Sequence, residues 1–170
     1  MEVTWLFNVG DKVVYPMHGA GIIESIEEKE ILGEKRRYYV MKMPIGDMKV
    51  MIPIQNVNDI GLRQVVDEGV IDQVIGLLKH GQTDMSTNWN RRYRANLDKI
   101  KSGDIYEIAD VVRNLMLREK DKGLSTGERK MLDNAKQILI SEFVLAKQLH
   151  HEEVDGLLAN IIFSEKNASI

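Results

Sequence analysis

Apolar positions along this chain follow two different rhythms. Up to about residue 60 they come in short β-favouring runs: Lys12–Tyr15, Gly21–Ile26, Arg37–Lys42 and Met48–Pro53. Turn-forming clusters separate them at Val9-Gly10-Asp11, His18-Gly19-Ala20-Gly21, Leu32-Gly33-Glu34-Lys35 and Pro44-Ile45-Gly46-Asp47. Pro16, Pro44 and Pro53 all fall at strand ends or edges, where a missing N–H is tolerated. Four or five short antiparallel strands in so little chain predict a small Tudor-like or SH3-like β-barrel over residues 1–61.

Beyond residue 62 the period becomes helical. A helix is expected over Val70–Lys79, closed by His80-Gly81, and a second over Asn88–Lys101, closed by Ser102-Gly103. Asp104 caps a third, whose stripe is Ile105, Ile108, Ala109, Val112, Leu115 and Met116, and Glu107 completes a capping box. That helix stops at Lys122-Gly123, with Leu124 placed for a Schellman contact. Ser125 and Glu128 form another capping box ahead of a long helix bearing Leu132, Ala135, Leu139, Phe143, Ala146 and Leu149. A last helix covers about 151–163, and the tail Ser164–Ile170 is expected to fray. The fold class is therefore α+β in two domains, a β-barrel over 1–61 and an all-α domain over 62–170, divided near Asp59-Ile60-Gly61.

The 170 residues carry a net charge of −3, so no global basic field advertises nucleic acid. The charge is uneven, however. Residues 86–136 hold twelve Lys/Arg against eight Asp/Glu, a net of +4, which leaves −7 for the remainder. That asymmetry fits a local basic surface on an acidic protein. The absence of cysteine rules out disulfides, zinc ribbons and thiolate catalysis. Met1–Phe7 lacks the basic and apolar regions of a signal peptide, and no run approaches the ~20 apolar residues of a membrane helix. The expectation is a cytoplasmic protein without membrane association.

Within the basic region, Asn88-Trp89-Asn90-Arg91-Arg92-Tyr93-Arg94 sets a tryptophan beside three arginines and a tyrosine. Arginines neutralise phosphates and aromatics wedge between bases, so this is the composition of a nucleic-acid contact. Two local readings stay open. Trp89 lies four residues before Tyr93, so the stripe through Tyr93, Leu97 and Ile100 extends back to bury it. Alternatively, Ser86, Thr87 and Asn88 are good caps, and a tryptophan in the first helical turn projects past the helix end. Other chemistry is not supported. His150-His151-Glu152-Glu153 lacks metal-ligand spacing, the glycine-rich turn at His18–Gly21 is not followed by a phosphate-loop GK[ST], and no nucleophile motif is present. No enzyme, metal or cofactor is expected.

The segment from Phe7 to Gly21, Phe-Asn-Val-Gly-Asp-Lys-Val-Val-Tyr-Pro-Met-His-Gly-Ala-Gly, resembles the opening of the CarD/CdnL family of bacterial transcription regulators. The first module also occurs in the transcription-repair coupling factor. The similarity continues through Asn88–Leu97 and through Gly123–Leu132, covering about 7–163. The resemblance implies that the N-terminal barrel docks on the RNA polymerase β subunit through an edge strand, and that the helical domain contacts promoter DNA at the upstream fork of the transcription bubble. Trp89 matches the family's minor-groove wedge, and Arg91, Arg92 and Arg94 match its phosphate-contacting patch. The polymerase-facing residues would be Lys29, Lys49, Met51 and Pro53. Met51 is a departure, standing where some relatives carry a basic residue. The implied outcome is an open promoter complex stabilised together with the primary sigma factor, by a monomer brought to the nucleoid through polymerase. The competing expectation is a protein-interaction adaptor with Trp89 packed inside and no DNA contact.

Overall fold

The computed structural model describes residues 6–44 and 46–164. Ile45 of the fourth expected turn, and all of the expected fraying tail but Ser164, lie outside the described residues. Five strands, β1 (Lys12–Tyr15), β2 (Gly19–Ile31), β3 (Glu34–Lys42), β4 (Lys49–Pro53) and β5 (Arg63–Gln64), form one antiparallel sheet in the order β4-β3-β2-β1-β5. A 3-10 turn (Ile54–Asn56) and a single helical turn, α1 (Val57–Ile60), return the chain from β4 to β5. Phe7, Val13, Ile23, Tyr39, Met41, Ile52, Val57 and Leu62 are buried together inside the curl of the sheet. Tyr39 closes the entrance by exchanging hydrogen bonds with the backbone N–H and C=O of Phe7, both at 3.1 Å.

The unbroken apolar pair Val13-Val14 shows why β1 lacks alternation. Val13 faces the sheet's own core, whereas Val14 packs outward with Ala20 on Leu145 of the helical domain. A strand covered on both faces reads as a continuous apolar run. β2 and β3 extend beyond the expected Gly21–Ile26 and Arg37–Lys42. The polar run Glu27–Glu30 is exposed strand, paired rung by rung with Lys35–Tyr38 in a projecting hairpin. The register shifts between Ile23 and Ser25, which bends β2 as it leaves its partner β1. At the hairpin tip Leu32 (φ 52) and Gly33 (φ 80) are both left-handed, as the tight turns matched to strand twist require. The sheet also runs past Gly61: β5 adds to β1 beyond the expected boundary.

Five helices follow: α2 (Glu68–Leu78), α3 (Trp89–Lys101), α4 (Ile105–Asp121), α5 (Thr126–Lys147) and α6 (His151–Ile162). The expected N-cap side chains of α4 and α5 are in place, but neither capping box is completed. The Asp104 backbone N–H goes to the Ser102 hydroxyl, and the Glu128 carboxylate is taken by Arg92. α2 starts at Glu68, capped by Asp67, two residues before the expected Val70. Asp104 accepts from the backbone N–H groups of Tyr106 and Glu107, and Ser125 accepts from that of Glu128. Gly123 (φ 77) ends α4 by donating to the carbonyls of Arg118 and Glu119. α4 is the central helix, buried on most of its circumference from Ile105 to Met116 against α2, α3, α5 and α6. The long loop from Lys79 to Asn88 is pinned to α4 by a polar cluster. Thr83 bonds Asp110 and Asn114, while buried Arg113 reaches the Leu77 carbonyl and Asp110. This anchoring fixes where α3 starts.

Candidate nucleic-acid interface

The side chain of Asn88 accepts the backbone N–H of Arg91 at 3.0 Å and so sets the first residue of α3 at Trp89. Helical side chains lean towards the N-terminus, so a residue at that position reaches beyond the helix end. Trp89 is 41 % exposed. Its ring stacks on Tyr93 with centroids 4.9 Å apart and an interplanar angle of 19°. Its indole N–H donates to the Ser125 hydroxyl at 2.9 Å. The ring edge passes over Gly127, where an added Cβ would lie 3.5 Å from Trp89 Cζ2. Trp89 is therefore neither a core residue nor a free one: one side of the indole is held by α3 and α5, and the rest faces solvent.

The three arginines separate. Arg91 and Arg94 are exposed on α3. Arg92, expected to contact phosphate, is instead 4 % exposed. It forms a two-pronged pair with Glu128, Nε to Oε2 at 2.8 Å and Nη2 to Oε1 at 3.1 Å, and its Nη1 donates to the carbonyls of Ser86 and Thr87 at 3.1 and 3.4 Å. That geometry corrects the grouping of Arg92 with its neighbours, because both edges of the guanidinium fork are committed inside the protein. Arg92, Asn96 and Ile100 lie on one i, i+4, i+8 line, and these are the three buried residues of α3, with Tyr93 and Leu97 only half-buried beside them. The Glu128 carboxyl is held below the usual carboxylate range, chiefly by the hydrogen bond from Arg92 and against the opposing effect of its own burial.

Ser125 is the junction of this cluster. It caps α5, accepts from Trp89, and donates to Glu128 Oε1 at 3.3 Å. The Ser125 cap was legible in the sequence, but its link to Trp89 was not, since 36 residues separate the two. Arg129 and Lys130, exposed on the turn of α5 that follows Gly127, are further cations that local reading did not single out.

On the sheet, β4 pairs only with β3, so among the described residues its outer edge has no strand partner. Met51 and Pro53 on that strand are half-buried. Lys49 is exposed but bound to Glu24 at 2.9 Å, and that carboxylate raises the lysine's pKa above its ordinary value. Lys29 is not on β4. It sits on the projecting hairpin opposite Arg36, two residues beyond the rung that joins Glu27, Tyr38 and Pro53. His151, the helix-start histidine, has Nε2 3.2 Å from Gln137 Oε1. No described helix is long and apolar enough to cross a membrane.

Residues 7–66 match the family model for the CarD-like/TRCF RID domain, and residues 73–159 match that for the CarD C-terminal domain. Among curated proteins, the "Putative transcription factor YdeB" of Bacillus subtilis (strain 168) is 47 % identical over 149 residues, covering 88 % of this chain and 97 % of that protein. Two solved structures from Myxococcus xanthus match part of this chain. The 72-residue N-terminal domain of CarD, a solution NMR structure, is 33 % identical over 37 % of this chain and 84 % of its own, with a TM-score of 0.31. The corresponding CdnL fragment is 38 % identical over 40 % of this chain and 93 % of its own, with a TM-score of 0.33. Both family domains occur here in succession along one chain, and the sequence relative spans nearly the whole of it, so the protein belongs to the CarD/CdnL family of transcription regulators that interact with RNA polymerase.

Proposed function

We propose that the protein docks on the polymerase β subunit through the free edge of β4 and sets Trp89 into the minor groove at the upstream fork of the promoter bubble, prolonging the open complex formed with the primary sigma factor. The observation that carries this reading is the state of Trp89, a half-exposed ring fixed by Tyr93 and Ser125. Unstacking a base step costs a few kcal/mol, and an aromatic face already held in place offers the unstacked base a partner without first losing its own freedom. A surface that fits the opened fork better than closed duplex shifts the equilibrium by that difference and needs no catalytic step.

Arg91 and Arg94, with Arg129 and Lys130 on the neighbouring helix, act as phosphate contacts around the wedge. Arg92 supports them from inside by bracing α3 against α5. On a protein of net charge −3 these few cations give weak intrinsic DNA affinity, so polymerase supplies the effective concentration. Docking at β4 uses backbone pairing at a sheet edge, which tolerates Met51 in place of a basic side chain. Lys29 and Lys49 add local charge, and the protein follows polymerase to the nucleoid. The deciding assay is the lifetime of competitor-resistant open complexes formed by the cognate polymerase, with and without this protein. Longer lifetimes are expected. An unchanged lifetime for a protein that demonstrably binds polymerase refutes the proposal.

A further inference from the structure

More than the connecting chain joins the sheet to the helices. The C-terminal half of α5 lies against β1, β2 and β5 through a directional polar contact. The Glu142 carboxylate, 1 % exposed, accepts from both terminal nitrogens of Arg63 at 2.7 Å and from the backbone N–H of Val66 at 3.0 Å. Arg63 Nε donates to the Gly103 carbonyl at 2.9 Å, just ahead of α4. Ser141, one residue before Glu142, accepts the backbone N–H of Ala20 at 2.8 Å. Lys12 Nζ donates to the carbonyl of Leu145 at 3.0 Å. Gly19 (φ +110) allows the close approach, because a Cβ there would fall 2.8 Å from the Ser141 hydroxyl. Buried ion pairs are weak sources of stability compared with apolar packing, but a bidentate pair permits only a narrow range of angles.

The other end of α5 carries Ser125, Gly127 and Glu128, on which Trp89 and Arg92 are held. Sixteen residues separate Ser125 from Ser141, roughly 24 Å at the helical rise per residue. One rigid helix therefore spans the distance between the sheet and the tryptophan. Building on the docking and fork contact proposed above, we infer that Glu142 and Arg63 are positioning residues for Trp89: they lock α5 to the polymerase-binding sheet, so that docking delivers the indole at one distance and one angle.

The test uses the full-length chain with nitroxide labels on Gln55→Cys and Asp133→Cys, two exposed positions in a protein without native cysteine. Pulsed electron resonance should give a narrow distance distribution with the latch intact and a broadened or displaced one in Glu142→Gln. In unlabelled protein, Glu142→Gln should bind polymerase as tightly as wild type yet shorten the open-complex lifetime by at least about fivefold, the lower end of ordinary coupling between two sites. In a Trp89→Ala background the same change should have no further effect, which a merely structural role would not produce. Should Glu142→Gln not fold, Arg63→Lys keeps the charge, loses the fork, and carries the same measurements. An unchanged distance distribution, obtained without DNA, overturns the latch while leaving the fork contact standing. Equal lifetime losses in both Trp89 backgrounds overturn the positioning role, and a Trp89→Ala variant with wild-type lifetimes overturns both.

Discussion

Replacing Arg92 with alanine should damage the fold far more than DNA binding. The variant leaves the Glu128 carboxylate, 2 % exposed, without its two-pronged partner and strips the carbonyls of Ser86 and Thr87 of a donor. Breaking a buried pair by removing one member costs about 3–5 kcal/mol, because the remaining charge stays desolvated. For a domain of this size each kcal/mol moves the thermal midpoint by roughly 2–4 °C, so a fall of about 6–20 °C is expected by calorimetry. Glu128→Gln in the same background should recover part of the loss, since the orphaned charge is then gone. The pair also sets a pH dependence. Glu128 has its folded-state pKa lowered, so its contribution is complete at neutral pH and declines as pH falls below the ordinary glutamate value of ~4.3 and through the depressed one. Arg92→Ala should flatten that acid limb. A variant that keeps its midpoint within about 2 °C, the effect of less than 1 kcal/mol, while losing about one unit of salt dependence in DNA binding, would refute the reasoning and return Arg92 to the phosphate surface.

Trp89→Ala removes one aromatic stack and one surface hydrogen bond, together about 1–3 kcal/mol, so its midpoint should fall less than that of Arg92→Ala while the open-complex lifetime shortens and polymerase affinity holds; a loss of about 5 kcal/mol would mark a core residue. In Trp5-substituted protein, acrylamide should quench Trp89 to an intermediate degree, and complete protection would contradict its exposure. Arg91→Ala and Arg94→Ala should each reduce the slope of log affinity against log salt by about one unit at unchanged stability, whereas unchanged slopes in both would remove them from the DNA surface. Lys49→Glu sets a second carboxylate beside Glu24 and should weaken polymerase binding without touching DNA affinity, an outcome checked by pull-down with the β subunit. Gly19→Ala places a side chain in a left-handed conformation against Ser141 and should destabilise the protein by more than about 1 kcal/mol in urea; stability equal to wild type would contradict the close approach.

Apart from α2, which starts two residues early on an unexpected Asp67 cap, the helical half was readable almost to the residue because its boundaries are written locally. Asn88, Asp104 and Ser125 each satisfy backbone donors within their own first turn, and Gly123 supplies the left-handed stop. The strands were less legible where their stabilising partners are distant. Glu27–Glu30 looked like a solvated charge run, and becomes strand only because Lys35–Tyr38 folds back onto it. Arg63-Gln64 is too short to show any period, and its strand character comes wholly from pairing with Val13 and Val14. At the candidate site, composition singled out Trp89, Arg91 and Arg94, which are all exposed, but the local pattern left Trp89 open between core and surface and only the family resemblance favoured the surface. Composition could not distinguish Arg92, because a buried arginine and a solvated one look alike until the opposing carboxylate is known, and Glu128 lies 36 residues away. The contact between Glu142 and Arg63 left no local trace for the same reason.

A hydroxyl has one proton to give and two lone pairs to offer, and at Ser125 all three are in use. The proton goes to Glu128 Oε1, one lone pair takes the Glu128 backbone N–H, and the other takes the indole of Trp89. The atom that begins a helix is thus also the atom that aims the tryptophan. Common substitutes at a helix start are not equivalent here. Alanine leaves the indole N–H without its protein acceptor, aspartate brings a second negative charge to Glu128, and glycine offers no side-chain oxygen at all. Threonine alone among ordinary caps keeps one donor and two lone pairs on a single oxygen, and its extra methyl must then find room beside the ring. Because one oxygen holds both the helix start and the ring, a change there cannot retune the wedge while leaving the fold as it was.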